Sequence, residues 1–404
     1  MTSKIFEGVK VLDFTWIGVG PVTIKYFADH GATVVHLEST TRPDGLRLAG
    51  PFRDNVAGND RSGFFANFNA SKYGITLNLN TPKGVEIAKR LVMWADVVAE
   101  SYTPKPMKKW GLDYESLVKI KPDIIMFSTC QQGQTGPYRE YPGFGGQGAA
   151  LAGFNHLTGW PDRSPVSPYG AYTDFLNPRF GSLSIAAALD YKRRTGKGTH
   201  IDLAQIEGGI QFLAPTIAEQ SANGRSPTRM GNRSPYQAPH GVFPCQGDER
   251  WIAIAVSNDD EWDALKRVIG DPEWADAERF STLSGRLENQ DDLEELLGAV
   301  TAERDAYHLM YALQAAGVPA GAVQKTSDLF TDPQLAYRKH FWYQDHAEIG
   351  VHAYDGPSFR MSKTPGELTM PAPIMGQHNE LVYKEFLGMS EDEYVENLIE
   401  NVFE

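Results

Sequence analysis

Short apolar runs alternate with helical patterns over the first 130 residues of the chain. This alternation is typical of a parallel sheet whose strands are joined by crossover helices. Proline opens the two clearest helical stretches, Pro21–His30 and Pro82–Trp94, at a position where its missing N–H costs no hydrogen bond. This part of the chain is therefore predicted to be Rossmann-like. Its predicted strands are Val9–Phe14, Thr33–Leu37, Gly74–Leu79, Asp96–Ala99 and Asp123–Ser128.

A long helix is the next strong feature of the pattern. A glycine-rich loop is predicted over residues 133–159, followed by a helix from about Pro178 to Arg194. Asn177 is its predicted N-cap, because an asparagine side chain there can accept a hydrogen bond from the first turn. A strand at 199–203 and a helix at about 204–221 come after it.

The polar segment 223–241 is dense in Gly, Pro, Ser and Arg, and it predicts a crossing into a second structural unit. Two units are expected for 404 residues, since one hydrophobic core seldom grows this large. The expected architecture is α/β, with a large Rossmann-like domain built from both chain ends (1–224 and 331–404) and a smaller α+β domain (225–330). The elements predicted downstream of the crossing are strands at Arg250–Val256 and Val318–Val323, helices at Glu261–Ile269, Gln290–Val300 and Ala306–Ala316, hairpin strands at Phe341–His346 and Val351–Tyr354, and a last helix at Asn379–Leu387.

Composition narrows the class of protein. A hydrophobic fraction of 41% with 11% aromatic residues is ordinary for a compact soluble protein. The formal net charge of −13 argues against a surface built for nucleic acid or anionic membranes, so an anionic small substrate needs a local basic cluster. Cys130 and Cys245 have no spacing typical of a disulfide framework or a metal site. With no apolar signal core at the N-terminus, a cytoplasmic location is expected.

The turn after the first strand imitates a dinucleotide-binding motif. Gly18 and Gly20 stand in the turn and Glu38 lies near the spacing of a ribose-binding acid, but the third glycine of the fingerprint is missing. The helix that begins near Pro21 can still hold an anion at its N-terminus. Basic residues near the strand ends favour a phosphate-rich ligand, although each could equally be a solvated surface charge: Arg42, Arg47, Lys72, Lys105, Lys108, Lys109 and Arg139.

Several other classes of enzyme lack their motifs in this chain. The 10 histidines form no His-x-x-x-His or Glu-x-x-His pattern, so no metal site is predicted. Neither a Gly-x-Ser-x-Gly elbow nor a Walker loop occurs, which removes the best support for a hydrolase or a kinase.

Asp174 is the candidate reactive group. It lies in the stretch GAYTDFLNP, residues 170–178, just ahead of the predicted helix and among apolar side chains. A poorly solvated carboxylate in a pocket can attack an activated acyl group, provided that nearby N–H groups keep it ionised. The alternative is a turn or helix-capping aspartate, a common role for this residue. Asn177 and Pro178 already supply a predicted cap, which leaves Asp174 free for chemistry.

The sequence resembles the class III coenzyme A transferases, the family of the formyl-CoA, carnitine and benzylsuccinate CoA-transferases. The resemblance covers nearly the whole chain, and its motifs are specific through their order rather than one by one. They are GVKVLDF at 8–14 with Gly20-Pro21, GATVV at 31–35 with Glu38, SKYGITL at 71–77, GQTGPY at 133–138, RRTGKG at 193–198 and GQH at 376–378.

The resemblance implies a role for Asp174 as nucleophile toward a thioester, giving a mixed anhydride and then an aspartyl-CoA thioester. It implies no tightly bound cofactor, with the coenzyme A thioester as substrate and a carboxylic acid as the second substrate. It also implies two interlocked chains, as a homodimer or with a related subunit. The positions expected to bind CoA are Ile17, Val19, Arg42, Lys72, Leu77, Ser101, Tyr102, Lys109 and Arg139.

The chain departs from the family at three places. Ser101 replaces a typical asparagine, Gly18 replaces the glutamine of the formyl-CoA enzymes, and residues 232–241 replace their four-glycine lid. The small Gly18 leaves room for a larger acyl group, so the hypothesis is transfer between a thioester such as succinyl-CoA and a bulky or dicarboxylic acid. Two alternatives stay open. One is an acyl-CoA racemase or isomerase of the same fold, although its histidine is missing from residues 142–147, and the other is a non-catalytic partner subunit.

Overall fold

The computed structural model describes residues 4–404, and the chain divides into two compact units. The first unit contains both chain ends: residues up to Asn155, Ser167–Ser226 and Gln334–Glu404. The second unit contains His156–Val166 and Pro227–Pro333. Residues 156–166, which the sequence places in the large domain, lie in the second unit because the Gly159 carbonyl accepts the N–H of Gly231 at 2.9 Å.

A six-stranded sheet in the order β3-β2-β1-β4-β5-β6 forms the centre of the first unit. Every neighbouring pair in it is parallel, as the alternation of apolar runs and helices predicts. A second, antiparallel pair is β10–β11, and β7-β8-β9 form a three-stranded antiparallel sheet in the second unit. The strands are β1 Lys10–Phe14, β2 Thr33–Glu38, β3 Tyr73–Thr76, β4 Val97–Glu100, β5 Ile125–Cys130, β6 Thr199–Ala204, β7 His240–Pro244, β8 Trp251–Ala255, β9 Ala320–Ala322, β10 Phe341–His346 and β11 Gly350–Asp355.

Helices connect the strands and cover the main sheet. Within residues 4–404, no helix is both long enough and apolar enough to span a membrane. The α-helices are α1 Val19–Ala28, α2 Gly63–Asn69, α3 Pro82–Trp94, α4 Pro104–Trp110, α5 Tyr114–Ile120, α6 Gly145–Leu151, α7 Phe154–Leu157, α8 Tyr172–Thr195, α9 Gln205–Gln211, α10 Ala214–Asn223, α11 Asp259–Ile269, α12 Leu283–Glu288, α13 Gln290–Ala302, α14 Ala306–Ala315, α15 Thr326–Leu329, α16 Pro333–Arg338 and α17 Glu391–Ile399. Short 3-10 helices lie at Gly45–Leu48, Arg53–Asn55, Glu273–Asp276 and Glu278–Phe280, and a π-helical turn lies at Leu381–Phe386.

Strands β1 to β5 of the main sheet are mostly buried, whereas β6 is half exposed. Successive side chains of a buried strand point to opposite sides and pack into different clusters. On β1, Val11 packs with Ile24 and Phe27 of α1. Its neighbour Leu12 points the other way and joins the cluster that contains Leu91 of α3. The carboxyl ends of the parallel strands are thereby held at one edge, which is where ligands of such sheets bind.

The C-terminal segment closes the edge of the sheet at β3. The Tyr383 hydroxyl donates to the Thr76 carbonyl at 2.7 Å, and the N–H of Asn78 donates to the Val402 carbonyl at 2.8 Å. Tyr383 is completely buried and stacks on Phe403 with ring centroids 4.1 Å apart. Distant parts of the chain therefore complete one hydrophobic core.

The start of α8 differs from the prediction. The helix begins at Tyr172, so Asp174 lies in its first turn, Pro178 lies inside it, and Asn177 is not the N-cap. A proline inside a helix removes one backbone donor. Here Asn177 Nδ2 donates to the Thr173 carbonyl at 2.8 Å and Arg179 donates to the Phe175 carbonyl, so side chains satisfy carbonyls on either side of the break.

Three other segments differ from their predicted secondary structure. The predicted loop 133–159 contains α6 and α7, and the single helix predicted at 204–221 is two helices, α9 and α10. The predicted last helix is the π-helical turn at Leu381–Phe386, and α17 follows it. Ser390 caps α17 by accepting the N–H of Glu393 at 3.2 Å, a Ser-x-x-Glu signal that the sequence does contain.

Candidate active site

Asp174 lies on the wall of a cavity of about 810 Å³ in the first unit, beside the carboxyl ends of the central strands. Only 9% of the residue is exposed. Burial raises the pKa of its carboxyl to about 6, while a hydrogen bond from the Gly145 N–H acts in the opposite direction. The carboxyl group is therefore largely ionised at neutral pH, yet poorly solvated.

Two glycines bring backbone against this carboxyl group. A Cβ built on Gly18 would lie 2.8 Å from Asp174 Cγ, and one built on Gly145 would lie 2.5 Å from the same atom. Both distances are too short for any real side chain, so glycine is required at both positions for this approach. Gly18 ends the turn between β1 and α1, and Gly145 opens α6. The carboxyl group thus sits between two turns that carry no side chains toward it.

Most of the residues predicted to bind CoA line the same cavity. These are Ile17, Val19, Arg42, Leu77, Ser101, Tyr102 and Lys109. They follow β1, β2, β3 and β4 in the chain. Because the carboxyl ends of parallel strands lie at one edge of the sheet, the segments that follow them meet there. Lys72 and Arg139 do not line the cavity.

Lys72 does not reach the wall of the cavity. It is completely buried, and its ammonium group donates to Asp13 Oδ2 at 3.0 Å, to Asn69 Oδ1 at 2.9 Å and to the Pro21 carbonyl at 3.1 Å. All three N–H donors are used, which requires the protonated form. The prediction failed here because a basic residue type does not reveal whether its side chain points inward.

An ionic frame is defined here as Asp13, His36, Glu38, Arg47 and Lys72. These residues lie on β1 and β2 and on the segments that follow β2 and precede β3, and Glu38 also lines the cavity. Arg47 Nη2 donates to Glu38 Oε2 at 2.7 Å, and both side chains are buried. Glu38 is therefore occupied by a guanidinium group and does not act as a ribose-binding acid. His36 lies between the two pairs, with Nδ1 3.2 Å from Asp13 Oδ2 and Nε2 3.7 Å from Glu38 Oε2.

The positive charge at the cavity comes from exposed side chains. The Arg42 guanidinium lies over the Trp16 ring, 5.1 Å from its centroid, and Lys105 and Lys109 also line the cavity. Lys105 Nζ is 3.3 Å from Glu140 Oε2. Arg139 is half exposed, with Nε 3.5 Å from Glu140 Oε1, and its guanidinium group lies outside the lining.

Sequence reasoning missed three groups at the site. Asp44 lines the cavity and accepts backbone N–H groups, and burial raises the pKa of its carboxyl to about 6. Gln131 also lines the cavity, and its Nε2 donates to the Phe144 carbonyl at 3.3 Å. Gln147 Oε1 accepts the Phe144 N–H at 3.0 Å. The two amides fix the segment that presents Gly145 to Asp174, a contact between distant residues that no local pattern encodes.

The chemistry available at this site is that of a carboxylate. Across the described residues, no three His, Cys, Asp or Glu side chains come together in a way that could hold a metal ion. Cys130 lines the cavity, but burial raises the pKa of its thiol to about 11, which leaves it protonated at neutral pH. Glu38 and Asp44 also line the cavity, but Glu38 is paired with Arg47 and both Asp44 oxygens accept the Ile17 N–H. Asp174 is therefore the candidate carboxylate for attack on an electrophile.

Comparison with known proteins identifies the family. Residues 6–379 match the model of CoA-transferase family III. The chain is 32% identical to the succinyl-CoA–D-citramalate CoA-transferase of Chloroflexus aurantiacus, over 96% of this chain and 95% of that protein. It is 31% identical to the succinate–glutarate CoA-transferase of Agrobacterium fabrum, over 94% and 95%.

The fold has a close counterpart among solved structures. A CAIB/BAIF family protein from Brucella suis superposes with a TM-score of 0.87 and 34% identity, over 95% of this chain and 100% of that one. The match of the family model over nearly the whole chain agrees with the resemblance carried by the ordered motifs. The chain belongs to CoA-transferase family III and is an enzyme that transfers coenzyme A.

Proposed function

We propose that this enzyme moves coenzyme A from succinyl-CoA to a bulky or dicarboxylic acid, with Asp174 as the nucleophile. The observation that carries the proposal is the state of Asp174 itself. Its carboxyl group is buried on the wall of a cavity of about 810 Å³, with a pKa raised to about 6 by burial. A carboxylate that loses hydration in this way gains nucleophilicity while staying ionised at neutral pH.

The proposed covalent catalysis has two halves. Two acyl transfers place CoA on Asp174 and release the first acid, and two more pass CoA to the second acid. A carboxylate oxygen attacks the thioester carbonyl, the C–S bond breaks, and a mixed anhydride and a CoA thiolate form. The thiolate then attacks the Asp174 carbonyl of the anhydride, releasing the first acid and leaving an aspartyl-CoA thioester. The second acid attacks that thioester, the C–S bond breaks, and a new mixed anhydride and the CoA thiolate form. The thiolate then attacks the acyl carbonyl of the second acid, which gives the new thioester and releases the Asp174 carboxylate. Each step breaks one bond to a carbonyl carbon and forms another, so no proton transfer is needed.

Each of these attacks places negative charge on a carbonyl oxygen. Backbone N–H groups of the two glycine turns at Gly18 and Gly145 are the proposed donors, because both turns approach Asp174 without side chains in between. The Gly145 N–H already bonds to the Asp174 carboxyl group. A donor fixed by the start of α6 needs little reorganisation during the reaction.

The CoA moiety is proposed to lie along the cavity toward the exposed basic residues. Arg42 and Lys109 supply positive charge for its phosphates, and Ile17, Val19 and Leu77 supply apolar contacts. Ser101 and Tyr102 complete this wall. The overall charge of −13 makes such a local cluster necessary for binding an anionic substrate.

The choice of acids rests on the relatives and on Gly18. The two relatives described above are named for succinyl-CoA with D-citramalate and for succinate with glutarate. In this chain glycine stands at position 18, where the formyl-CoA enzymes carry glutamine, and its backbone touches Asp174. The missing side chain favours an acyl group larger than formyl or oxalyl.

A racemase would need a base besides Asp174 at the reacting carbon. Residues 142–144 and Gln147 line the cavity at the place where the racemases carry their histidine, and none of the described lining residues is a histidine.

The assembly is proposed to be two interlocked chains, identical or related. Helix α10 has no buried residue, and its Ile217 and the preceding Phe212 are half exposed, which gives a second chain an apolar surface to cover. A cytoplasmic location is proposed with it.

The test is the Asp174→Ala variant, assayed with succinyl-CoA and a panel of carboxylic acids. Transfer should be abolished while CoA still binds, and mass spectrometry of the wild type incubated with succinyl-CoA should find a modified Asp174. The matched control is Asp190→Ala, on the same helix but half exposed and paired with Arg193 and Arg194. Turnover by the Asp174 variant at the rate of the control would refute the assignment. If the chain is instead a non-catalytic partner subunit, neither the wild type nor the Asp190→Ala control would be active when purified alone.

A further inference from the structure

The turn between β1 and α1 forms the cavity wall that touches Asp174. Trp16, Ile17 and Gly18 all line the cavity. A Cβ built on Gly18 would lie 2.8 Å from Asp174 Oδ2, so the turn and the carboxyl group are in close contact. A shift of this turn by a few tenths of an ångström therefore changes the surroundings of Asp174 directly.

Ile17 holds a conformation that its own residue type disfavours. Its φ is 67°, in the left-handed region. A β-branched side chain is strained there, and such residues persist only where the surrounding structure fixes them. The turn consequently needs an external restraint in order to keep its shape.

Asp44 supplies that restraint from the segment after β2. Its Oδ1 and Oδ2 accept the Ile17 N–H at 3.0 and 3.1 Å. Asp44 is 2% exposed and lines the cavity. A second side chain, Ser101, accepts the neighbouring Trp16 N–H at 3.0 Å. These N–H groups point at protein oxygens, so this turn is not a free cradle for phosphate.

We propose that Asp44 is a positioning residue of the transfer reaction: by accepting the Ile17 N–H it holds the turn in place, so that Gly18 stays against Asp174. The inference rests on the proposed role of Asp174 as nucleophile. The Asp44 carboxylate accepts the Ile17 and Leu46 N–H groups, so it acts on Asp174 through the backbone of residues 17 and 18. Misplacing a reacting group by about 1 Å can slow an enzyme on the order of a hundredfold, which gives such a restraint a large effect.

A purely structural role for Asp44 is the alternative. Asp44 also caps the 3-10 helix Gly45–Leu48, since Oδ1 accepts the Leu46 N–H at 2.9 Å. Asparagine and serine are about as good at capping as aspartate. If capping were its whole role, Asp44→Asn and Asp44→Ser would leave the reaction rate unchanged.

The two substitutions differ at the Ile17 N–H. Asparagine puts an amide NH₂ where one carboxylate oxygen now lies about 3 Å from that donor, so one of the two contacts becomes a clash between donors. The remaining acceptor is neutral, and neutral hydrogen bonds are about half as strong as charged ones. Serine keeps the cap but is too short to reach Ile17. The rate should therefore fall in the order wild type, Asp44→Asn, Asp44→Ser.

The experiment measures kcat and KM for succinyl-CoA with an accepted acid, together with the rate at which Asp174 becomes modified per folded enzyme. Counting modified Asp174 at completion separates a slower site from a smaller number of intact molecules. We expect kcat to fall about threefold in Asp44→Asn and at least about tenfold in Asp44→Ser, with smaller changes in KM. The near-isosteric asparagine variant decides the question even if the serine variant does not fold.

The control for the capping role is Asp113, which caps α5 by accepting the Ser116 N–H at 3.2 Å and lies outside the cavity lining. Asp113→Asn and Asp113→Ser should keep the wild-type kcat. If Asp44→Asn matches Asp113→Asn in kcat, the positioning role is overturned. The Asp174→Ala variant keeps the two proposals apart: activity in that variant removes the proposed nucleophile, whereas its inactivity beside a fully active Asp44→Ser removes only the inference drawn here.

Discussion

The ionic frame and the cavity wall around Asp174 lie in the same unit but differ in their buried charges: carboxylates of the frame are paired with cations, whereas Asp174 is not. In the frame each carboxylate meets a cation, with Lys72 Nζ 3.0 Å from Asp13 and Arg47 Nη2 2.7 Å from Glu38. Asp174 forms no ion pair with any residue from 4 to 404, and burial raises the pKa of its carboxyl to about 6. Neighbouring charges instead hold the pKa of Asp13 below its usual range, against the effect of burial.

The difference teaches where to look for chemistry in this fold. A paired buried charge stabilises the structure around it, because removing either partner strands the other. An unpaired one costs stability and is retained where its reactivity is needed. Glu100 also lacks a cation, and burial raises the pKa of its carboxyl to about 8. It lies outside the cavity lining and accepts the Tyr102 N–H at 2.7 Å, so it lacks the access that Asp174 has.

The largest effect is expected from breaking the frame with Lys72→Met. The substitution leaves Asp13 charged, fully buried and without its ammonium partner. Removing one partner of a buried pair costs on the order of 3–5 kcal/mol, so the free energy of unfolding should fall by about that amount in urea titrations. Lys83→Met is the control, since Lys83 and Glu396 form a pair that is about half exposed. A Lys72→Met loss no larger than that of Lys83→Met would contradict the comparison.

The acid dependence of turnover sharpens the comparison at the Asp174 side. The ionised carboxylate is the reactive form, so kcat/KM should fall about tenfold for each pH unit below about 6, the pKa to which burial raises this carboxyl. The alkaline side of the same group should be flat. Measuring kcat/KM for succinyl-CoA between pH 4.5 and 8 tests this, in about half-unit steps.

A second carboxyl group near the cavity could produce the same acid limb, since burial also raises the pKa of Asp44 to about 6. The Asp44→Asn variant removes that group. If Asp174 causes the acid limb, the variant keeps its midpoint although its rate is lower throughout. Two results would count against Asp174: an acid limb of kcat/KM with its midpoint near 4 in the wild type, or a midpoint that shifts from about 6 to about 4 in the Asp44→Asn variant.

Much of the fold could be predicted from the sequence because strands β1 to β5 of the main sheet are mostly buried on both faces. All residues of β5 are buried, and the strand begins with the apolar run Ile125-Met126-Phe127 between two helical patterns. The start of α8 could not be predicted, because Pro178 is a strong sign of a first turn and its interior position depends on Asn177 and Arg179 satisfying nearby carbonyls. Side-chain compensation of this kind leaves no periodic signal.

The candidate site also has parts that could be predicted from the sequence and parts that could not. The segments after β1 to β4 could be placed together, because parallel strands end at one edge of a sheet. The direction of a single side chain could not, and for this reason Lys72 was expected at the ligand although it points into the frame. Contacts made across long stretches of chain, such as Asp44 with Ile17 or Gly145 with Asp174, appear only in three dimensions.

The smallest effect is expected in stability, from Asp174→Asn. The pKa of the buried carboxyl is raised to about 6 from an unfolded value near 3.8, so the folded state binds its proton more tightly than the unfolded chain does. The stabilisation by the protonated form is complete below about pH 4 and is lost as the pH rises through about 6. At pH 8 the ionised carboxylate therefore destabilises the fold, and an amide of the same shape removes that cost.

The Asp174→Asn variant should accordingly be more stable than the wild type by up to roughly 3 kcal/mol at pH 8, which corresponds to a pKa shift from 3.8 to about 6, and by only about 0.5 kcal/mol at pH 4. Urea titrations of both proteins at the two pH values measure the difference, and titrating groups common to both cancel. Asp13→Asn is the counterpart in the frame: it should be less stable than the wild type at pH 8, because it leaves Lys72 buried without its counter-charge. If both variants lost stability at pH 8, Asp174 would belong with the frame, and the distinction between charges that hold the fold and the charge that performs the reaction would fail.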